Sequence, residues 1–330
     1  MQTVLVTGGA GYVGSHTCLR LAEAGFQPVV FDNLSNGHAE FVKWGPLEVG
    51  DIRQPERLDA VFARYKPVAV LHFAALIEVG ESVKEPARFY DNNVAGAICL
   101  IEAARRAGVN AMVFSSTCAT YGAPERVPLD ETHPQRPLNP YGRTKLMVEE
   151  ILRDLDRYSG FRSISLRYFN AAGADPAGRV GERHEPETHA IPLAIRAAMG
   201  EGTFRIMGED YATADGTAVR DYIHVLDLAD AHVLALKRLL AGGGTDAFNL
   251  GTGAGTSVAQ LVEAIRRTSN APFDVERGAR REGDSPVLVA DNSKARDLLG
   301  WTPKYGLNEI IETAWRWHRA EAARVVEAAE

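Results

Sequence analysis

The chain has 330 residues, 45% of them hydrophobic and 24% charged, and a formal net charge of −7 at pH 7. At roughly 150 residues per domain, this length allows two domains or one enlarged α/β unit with a sizeable core. Acidity without a basic stretch argues against a nucleic-acid partner, and no run approaches the ~18 apolar residues of a membrane span. Cys18, Cys99 and Cys118 are too few and too scattered for a disulfide framework or a zinc site, so they are expected as reduced core residues. Thr3-Val4-Leu5-Val6 enters a strand with no basic region, apolar stretch and cleavage site before it, which makes the cytoplasm the expected location.

Strand-length apolar runs at 3–7, 28–32, 47–50, 69–73, 111–115 and 163–168 alternate with helix-period segments at 15–24, 55–65, 87–107 and 140–158. The strands are rich in Val, Ile and Leu without alternation, as strands buried on both faces are. This predicts an α/β fold, a Rossmann-type doubly wound parallel sheet with ligands at the C-terminal strand ends. From residue 171 to 221, Gly, Pro and charged residues break the pattern. A helix at 226–240, a strand at 247–250 and helices at 258–268 and 293–299 follow. The expected division is therefore 1–170 for the dinucleotide-binding domain and 171–330 for a smaller α/β substrate domain, with 221–251 returning to the first.

The first motif is Gly8-Gly9-Ala10-Gly11-Tyr12-Val13-Gly14, between a strand and a helix. Gly8, Gly11 and Gly14 permit a tight turn, close approach of backbone to a pyrophosphate and close helix–strand packing. A plain glycine-rich turn is the competing reading. Asp32 closes the second strand, where a carboxylate binds ribose hydroxyls and repels a 2′-phosphate. Residues 33–37 contain no Arg to accept that phosphate, so the expected cofactor is NAD.

Asn139-Pro140 opens a helix bearing Tyr141 and Lys145, whose four-residue spacing puts them on one face. A nearby ammonium favours a phenolate, and a tyrosine tuned that way exchanges protons near neutral pH. For the pair alone, an ordinary amphipathic helix is the stronger reading, and it weakens because the pair follows a nucleotide-binding half at the right distance. The hydroxyl cluster Ser115-Ser116-Thr117 lies just past a strand, where Thr117 can relay a proton, or where a simple Ser/Thr turn would stand.

Together these motifs resemble the extended short-chain dehydrogenase/reductase superfamily and, within it, the UDP-glucose (UDP-galactose) 4-epimerase family. The resemblance runs along nearly the whole chain through Phe31-Asp32-Asn33-Leu34, Gly50-Asp51-Ile52-Arg53, His72-Phe73-Ala74-Ala75, Val79-Gly80-Glu81-Ser82, Tyr90-Asp91-Asn92-Asn93-Val94, Leu166-Arg167-Tyr168-Phe169-Asn170, Arg220-Asp221-Tyr222-Ile223-His224 and Arg280-Arg281-Glu282-Gly283-Asp284. It implies that Tyr12, Val13, Asp32, Asn33, Asp51, Ile52, Phe73, Ala74, Ala75, Asn92, Lys145 and Tyr168 line the NAD site with the glycines. It implies a UDP-sugar held by Thr117, Tyr141, Asn170, His189, Met207, Arg220, Arg281 and Asp284. Arginine forks suit a diphosphate, although Arg220 and Arg281 also read as surface partners of Asp221 or Asp284. Thr117 stands where Ser is common, Ile77 for Lys, Met207 for an aromatic and His189 for Asn. His184, His189 and His224 do not suggest a metal, and none is expected.

The implied chemistry is 4-epimerisation: Tyr141 takes the 4-hydroxyl proton as C4 passes a hydride to NAD, and the 4-keto sugar turns over before reduction. Thr117 is followed by Cys118 and Ala119 rather than the acids of 4,6-dehydratases or the Glu of decarboxylating relatives. UDP-N-acetylglucosamine or UDP-xylose 4-epimerisation remains open, with Leu288 near the sugar 2-substituent. A non-catalytic NAD-binding regulatory or scaffold protein is the alternative of another class. The resemblance also implies a homodimer pairing through the helices at 87–107 and 140–158.

Overall fold

The computed structural model describes residues 1–280 and 284–329. Its first half alternates β1 (Thr3–Thr7), α1 (Tyr12–Glu23), β2 (Gln27–Asp32), β3 (Leu47–Val49), α2 (Pro55–Tyr65), β4 (Ala69–His72), α3 (Val79–Lys84), α4 (Pro86–Phe89), α5 (Gly96–Arg106), β5 (Ala111–Thr117), α6 (Pro140–Ser159) and β6 (Arg162–Tyr168). The second half adds β7 (Asn170–Ala172), α7 (Ala190–Ala198), β8 (Phe204–Met207), β9 (Val219–Arg220), β10 (Tyr222–His224), α8 (Val225–Leu240), β11 (Asp246–Leu250), β12 (Thr256–Ser257), α9 (Val258–Ser269), β13 (Val275–Gly278), β14 (Val287–Leu288), α10 (Ser293–Leu299) and α11 (Leu307–Ala329). The main sheet has seven strands in the order β11-β6-β5-β4-β1-β2-β3, and every pairing in it is parallel. The doubly wound fold expected from the sequence is thus present. Its order reverses between β1 and β4, which opens a crevice at their carboxyl ends.

The pleat explains the unbroken apolar strands. Val4 and Val6 face one core layer with α1 and α8, while Leu5 faces the other with α2, α5 and α6. All three are fully buried, and each such side chain contributes about 1.5–3 kcal/mol of apolar transfer energy. Asn139 caps α6 by accepting from the Gly142 amide at 2.8 Å, Pro140 pre-sets the first turn, and Gly160 closes it at φ +70°.

Several expectations are corrected. The helix foreseen over 87–107 is composite: between α4 and α5 the backbone widens into a π-helical turn over Tyr90–Ala95. The wide turn carries buried Asn93, whose amide bonds both backbone groups of Leu76 and the Thr144 hydroxyl. Such insertions are common near functional sites. Cys18 is buried, but Cys99 and Cys118 are only half-buried, so the cysteines are not uniformly core residues. The 171–221 stretch, where the pattern breaks, holds most of β7 together with α7, β8 and β9. Its ladders are two to four residues long, too short to show as periodicity.

The chain leaves the main sheet after β6 and builds a second layer in which α7, α9 and α11 enclose their own cluster around Ile195, Leu261 and Ile310. It then comes back, α8 covering β5 and β6 and β11 pairing with β6. The 23-residue α11 was not anticipated, although Ile310, Ile311, Ala314 and Trp317 carry its apolar face. No described helix is long and apolar enough to cross a membrane.

Candidate active site

The turn after β1 is made of close backbone approaches. Gly8 sits at φ +73°, and a Cβ there would meet the Ala74 amide nitrogen at 2.5 Å. A Cβ on Gly14 would lie 2.2 Å from the Gly8 carbonyl oxygen. Only glycine leaves the loop in contact with both β4 and α1. Gly11 caps α1 without a side-chain bond, and no acidic residue stands in its first turn. The leading N–H groups of Tyr12 and Val13 are thus free to face an anion.

Asp32 lies at the end of β2, nearly buried. Its two carboxylate oxygens accept from the Ala10 amide at 3.0 Å and the Leu34 amide at 2.8 Å. Burial outweighs those bonds and raises its pKa. Each oxygen keeps lone-pair capacity, so an under-solvated carboxylate gains from ribose hydroxyl donors. Asn33 donates to Asp51 at 3.2 Å, while Arg53 binds Asp51 and holds its carboxyl far below the usual range. Ile52 is buried beside them, and Phe73, Ala74, Ala75 and Asn92 are half-buried across the crevice. The glycine cradle, the open helix start and the Asp32 carboxylate fit the NAD expected from the sequence.

At the mouth of β5, three successive turns of α6 present Tyr141, Lys145 and Glu149 on one face. Gly142 sets the approach, since a Cβ there would stand 2.5 Å from the Ala119 carbonyl oxygen. The Lys145 Nζ donates to the Ser115 carbonyl at 2.8 Å and lies 5.0 Å over the Phe114 ring. Ser115 in turn shares a 2.5 Å hydrogen bond with the Tyr168 phenol. Thr117 accepts from the Ala119 amide at 3.1 Å, and its hydroxyl pulls the Tyr141 pKa down.

The electrostatic balance differs from the sequence expectation. Burial and the neighbouring Tyr168 push the Tyr141 phenol upward, overriding Thr117. Lys145 does not lower it, because burial brings the lysine itself down to about 7. Desolvation acts on both groups against their charged forms, and the Glu149 carboxylate offsets it only in part for Lys145. Without a further cation, Tyr141 is an acid.

Sequence reasoning missed the support beneath these groups. Glu149 accepts from Ser116 at 2.5 Å and from Arg167 at 2.5 and 2.9 Å. Arg167 also donates to the Tyr121 phenol at 2.9 Å, and that phenol donates to Asn249 at 2.6 Å. Both charges are almost wholly buried. The signal was available, since Glu149 continues the four-residue spacing of Tyr141 and Lys145.

On the opposite rim, the Asn170 side chain donates to the Asp221 carbonyl at 3.2 Å. Arg220 donates to the Val219 and Ser285 carbonyls and to Asp284 at 2.7 Å. Its acidic partner is Asp284, not Asp221. The Asp221 carboxylate is fully buried among the Thr252, Gly253 and Ala290 amides. Met207 ends β8, half-buried against Gly278. Arg281 lies outside the described residues. His189 caps α7 but bonds Glu182. His184 joins it with ring centroids 5.1 Å apart. His224 lies elsewhere, stacked on Tyr305.

A family model described as the NAD dependent epimerase/dehydratase family matches residues 4–251. A UDP-glucose 4-epimerase of Rhizobium leguminosarum bv. trifolii is 66% identical over 318 residues, covering 96% of this chain and 97% of its own. The crystal structure of UDP-glucose 4-epimerase from Brucella ovis in complex with NAD has a TM-score of 0.94 and 50% identity, covering 96% of this chain and 98% of that one. The Stenotrophomonas maltophila UDP-glucose-4-epimerase, with bound NAD and formylated UDP-arabinopyranose, has a TM-score of 0.96 and 40% identity over 98% of this chain and 100% of its own. The matched stretch runs from β1 to the end of β11 and so takes in the whole main sheet. This chain belongs to the NAD-dependent epimerase/dehydratase family.

Proposed function

We propose that the protein interconverts UDP-glucose and UDP-galactose by inverting the sugar at C4. One observation carries this reading beyond the family: α6 packs Tyr141 against the end of β5, where Thr117 is followed by Cys118 and Ala119. A proton can be exchanged at O4 there, but no carboxylate stands in that segment to remove a C5 proton or expel a C6 hydroxyl.

Gly8, Gly11, Tyr12, Val13 and Gly14 hold the pyrophosphate of NAD, Asp32, Asn33, Asp51 and Ile52 its adenosine, and Phe73, Ala74, Ala75, Asn92, Lys145 and Tyr168 its nicotinamide half. Bound NAD supplies the hydride acceptor for C4 and the donor that returns hydride to either face of the 4-keto sugar. Tyr141 moves the O4 proton, Thr117 shares it, and Lys145 orients the site from its anchor on Ser115. Oxidised NAD, held by these residues, would bring the positive charge that lowers the phenol.

Arg220 spends three of its five N–H donors on Val219, Ser285 and Asp284, which leaves two for the diphosphate. Asn170, Met207, Arg281 and Asp284 complete the UDP-sugar side, while His189 is turned to Glu182. This assigns 1–170, with 221–251 returning, to the cofactor and 171–330 to the sugar. The reading includes a homodimer through α5 and α6, supported by outward apolar residues such as Ile98, which is 42% exposed. The cytoplasm is its compartment.

The test is incubation of the purified protein with UDP-galactose, following the anomeric proton of UDP-glucose by NMR without added NAD. The expected result is an equilibrium mixture of the two hexoses. A 4-keto-6-deoxy product, or no conversion with NAD present, overturns the reading. Parallel reactions with UDP-N-acetylgalactosamine and UDP-xylose compare kcat/KM and place the 2- and 5-substituents that Leu288 and its neighbours accept. Gly14→Ala is expected to weaken NAD binding about 10–100-fold, since the new methyl forces apart two backbone segments at about 1–3 kcal/mol. NAD released by acid from the purified variant measures this, and wild-type content would contradict the cradle.

A further inference from the structure

The loop between β7 and α7 gathers Glu182, His184, Glu187 and His189. One donor atom of each lies within 4.8 Å of the other three. Glu182 and Glu187 are 3% and 9% exposed. Two buried carboxylates elsewhere hold an arginine, Glu149 with Arg167 and Asp175 with Arg179, whereas Asp32 and Asp221 are met by backbone amides. Among the described residues, no lysine or arginine pairs with Glu182 or Glu187; the groups facing them are the His184 and His189 rings, and a cation held among the four would stabilise the two buried carboxylates.

The unsatisfied atoms indicate where that cation sits. The Oε1 of Glu187 accepts from the Thr188 amide at 2.8 Å and the His189 amide at 2.9 Å. Its Oε2 is buried without a hydrogen bond, and so is the Nδ1 of His184. That nitrogen lies 3.7 Å from the Oε2 and 3.4 Å from the Oε1 of Glu182, too far to bond either. The His189 Nδ1 contacts Glu182 and stands 3.9 Å from the Glu187 Oε1. With metal–ligand bonds of about 2.0–2.1 Å, the ligands of a tetrahedral ion are about 3.3 Å apart. The observed separations bracket that edge.

We propose that Glu182, His184, Glu187 and His189 form a binding site for one divalent transition-metal ion of the zinc class. Two imidazole nitrogens and two carboxylate oxygens are borderline donors that suit zinc, with cobalt able to replace it. Four protein ligands leave no open position, so the ion is structural. Its place explains what it joins. The Glu182 carbonyl accepts from the Trp317 indole on α11 at 2.9 Å. The His184 ring meets Tyr12 of α1 edge-on at 6.3 Å, and the Tyr12 phenol reaches back to the Gly173 carbonyl at 2.6 Å. The ion thus clips the loop to the start of α1, beside the glycine turn, and to the last helix.

The test uses the full-length, tag-free protein with its NAD bound, freed of metal by a chelator and dialysis. Zinc titrated by calorimetry is expected to bind at one ion per chain. At about 100 times its Kd, it should raise the thermal midpoint by roughly 3–6 °C. Cobalt should give the intense visible bands of a tetrahedral site. His184→Ala and Glu187→Gln each remove one ligand, and at least tenfold weaker zinc binding is expected in both. If His184→Ala does not fold, the near-isosteric Glu187→Gln carries the comparison. Absence of zinc binding to the wild type at millimolar concentration, or wild-type affinity in Glu187→Gln, overturns the proposal and leaves a hydrogen-bonded His–Glu cluster.

Discussion

Tyr141→Phe is expected to lower kcat for C4 epimerisation by about 10²–10⁴-fold while NAD remains bound. The phenol is the one titratable group that α6 delivers to the Thr117 hydroxyl at the carboxyl end of β5. Removing a single oxygen keeps the ring, its packing and the helix cap at Asn139, so the loss falls on proton exchange at O4. Because burial holds the phenol protonated in the cofactor-free chain, the base form depends on charge arriving with the oxidised cofactor. The phenol should therefore titrate at higher pH in enzyme loaded with reduced NAD than in enzyme loaded with oxidised NAD, as read by NMR of ring-labelled tyrosine. Steady-state rates with UDP-galactose, together with the acid-released NAD content, make the measurement. An unchanged rate would remove Tyr141 from the mechanism and favour the non-catalytic reading.

A second large effect lies below the reacting groups. Glu149→Gln should destabilise the protein by about 3–5 kcal/mol, because it strands the Arg167 guanidinium as a buried charge without its counter-ion. Arg167 is 3% exposed and Glu149 is 2% exposed, so water cannot replace the lost partner. The remaining bonds of Arg167, to Tyr121, are to a neutral group and offset little. The midpoint of urea unfolding reports the change. Glu149→Met with Arg167→Met removes both charges and is expected to recover most of the loss, while either single change does not. A Glu149→Gln cost below about 1 kcal/mol would show that the pair is better hydrated than its burial implies. Since Ser116 hangs on the same carboxylate, the variant is also expected to loosen the strand end that carries Thr117.

The parts of this site legible from sequence are those encoded within a few consecutive residues. Gly8, Gly11 and Gly14 define a turn by their own lack of side chains, and Tyr141 and Lys145 share a helix face by spacing alone. Asp32 is found by its position after the second apolar run. The resemblance extended the reading to the sugar side, where Arg220 and Asp284, 64 residues apart, form one ion pair. The π-helical turn at Tyr90–Ala95 left no periodic mark, because one extra residue per turn shifts the face without changing composition. The glutamates of the 182–189 cluster carry no mark in the sequence, because neutralising partners cannot be counted before burial is known.

The amino-acid sequence by itself determined the doubly wound sheet, the cofactor turn and the placement of an acid/base tyrosine above a lysine. Each rests on backbone sterics or helical repeat, which act between neighbours in the chain. Only the tertiary structure decided the charge states of those two residues, since desolvation depends on what every other segment packs around them. It also decided that Glu149 pairs with Arg167, that Asp221 is a buried backbone anchor while Asp284 holds Arg220, and that Glu182 and Glu187 close on His184 and His189. Those outcomes are set by distances between segments remote in sequence and by the loss of water between them.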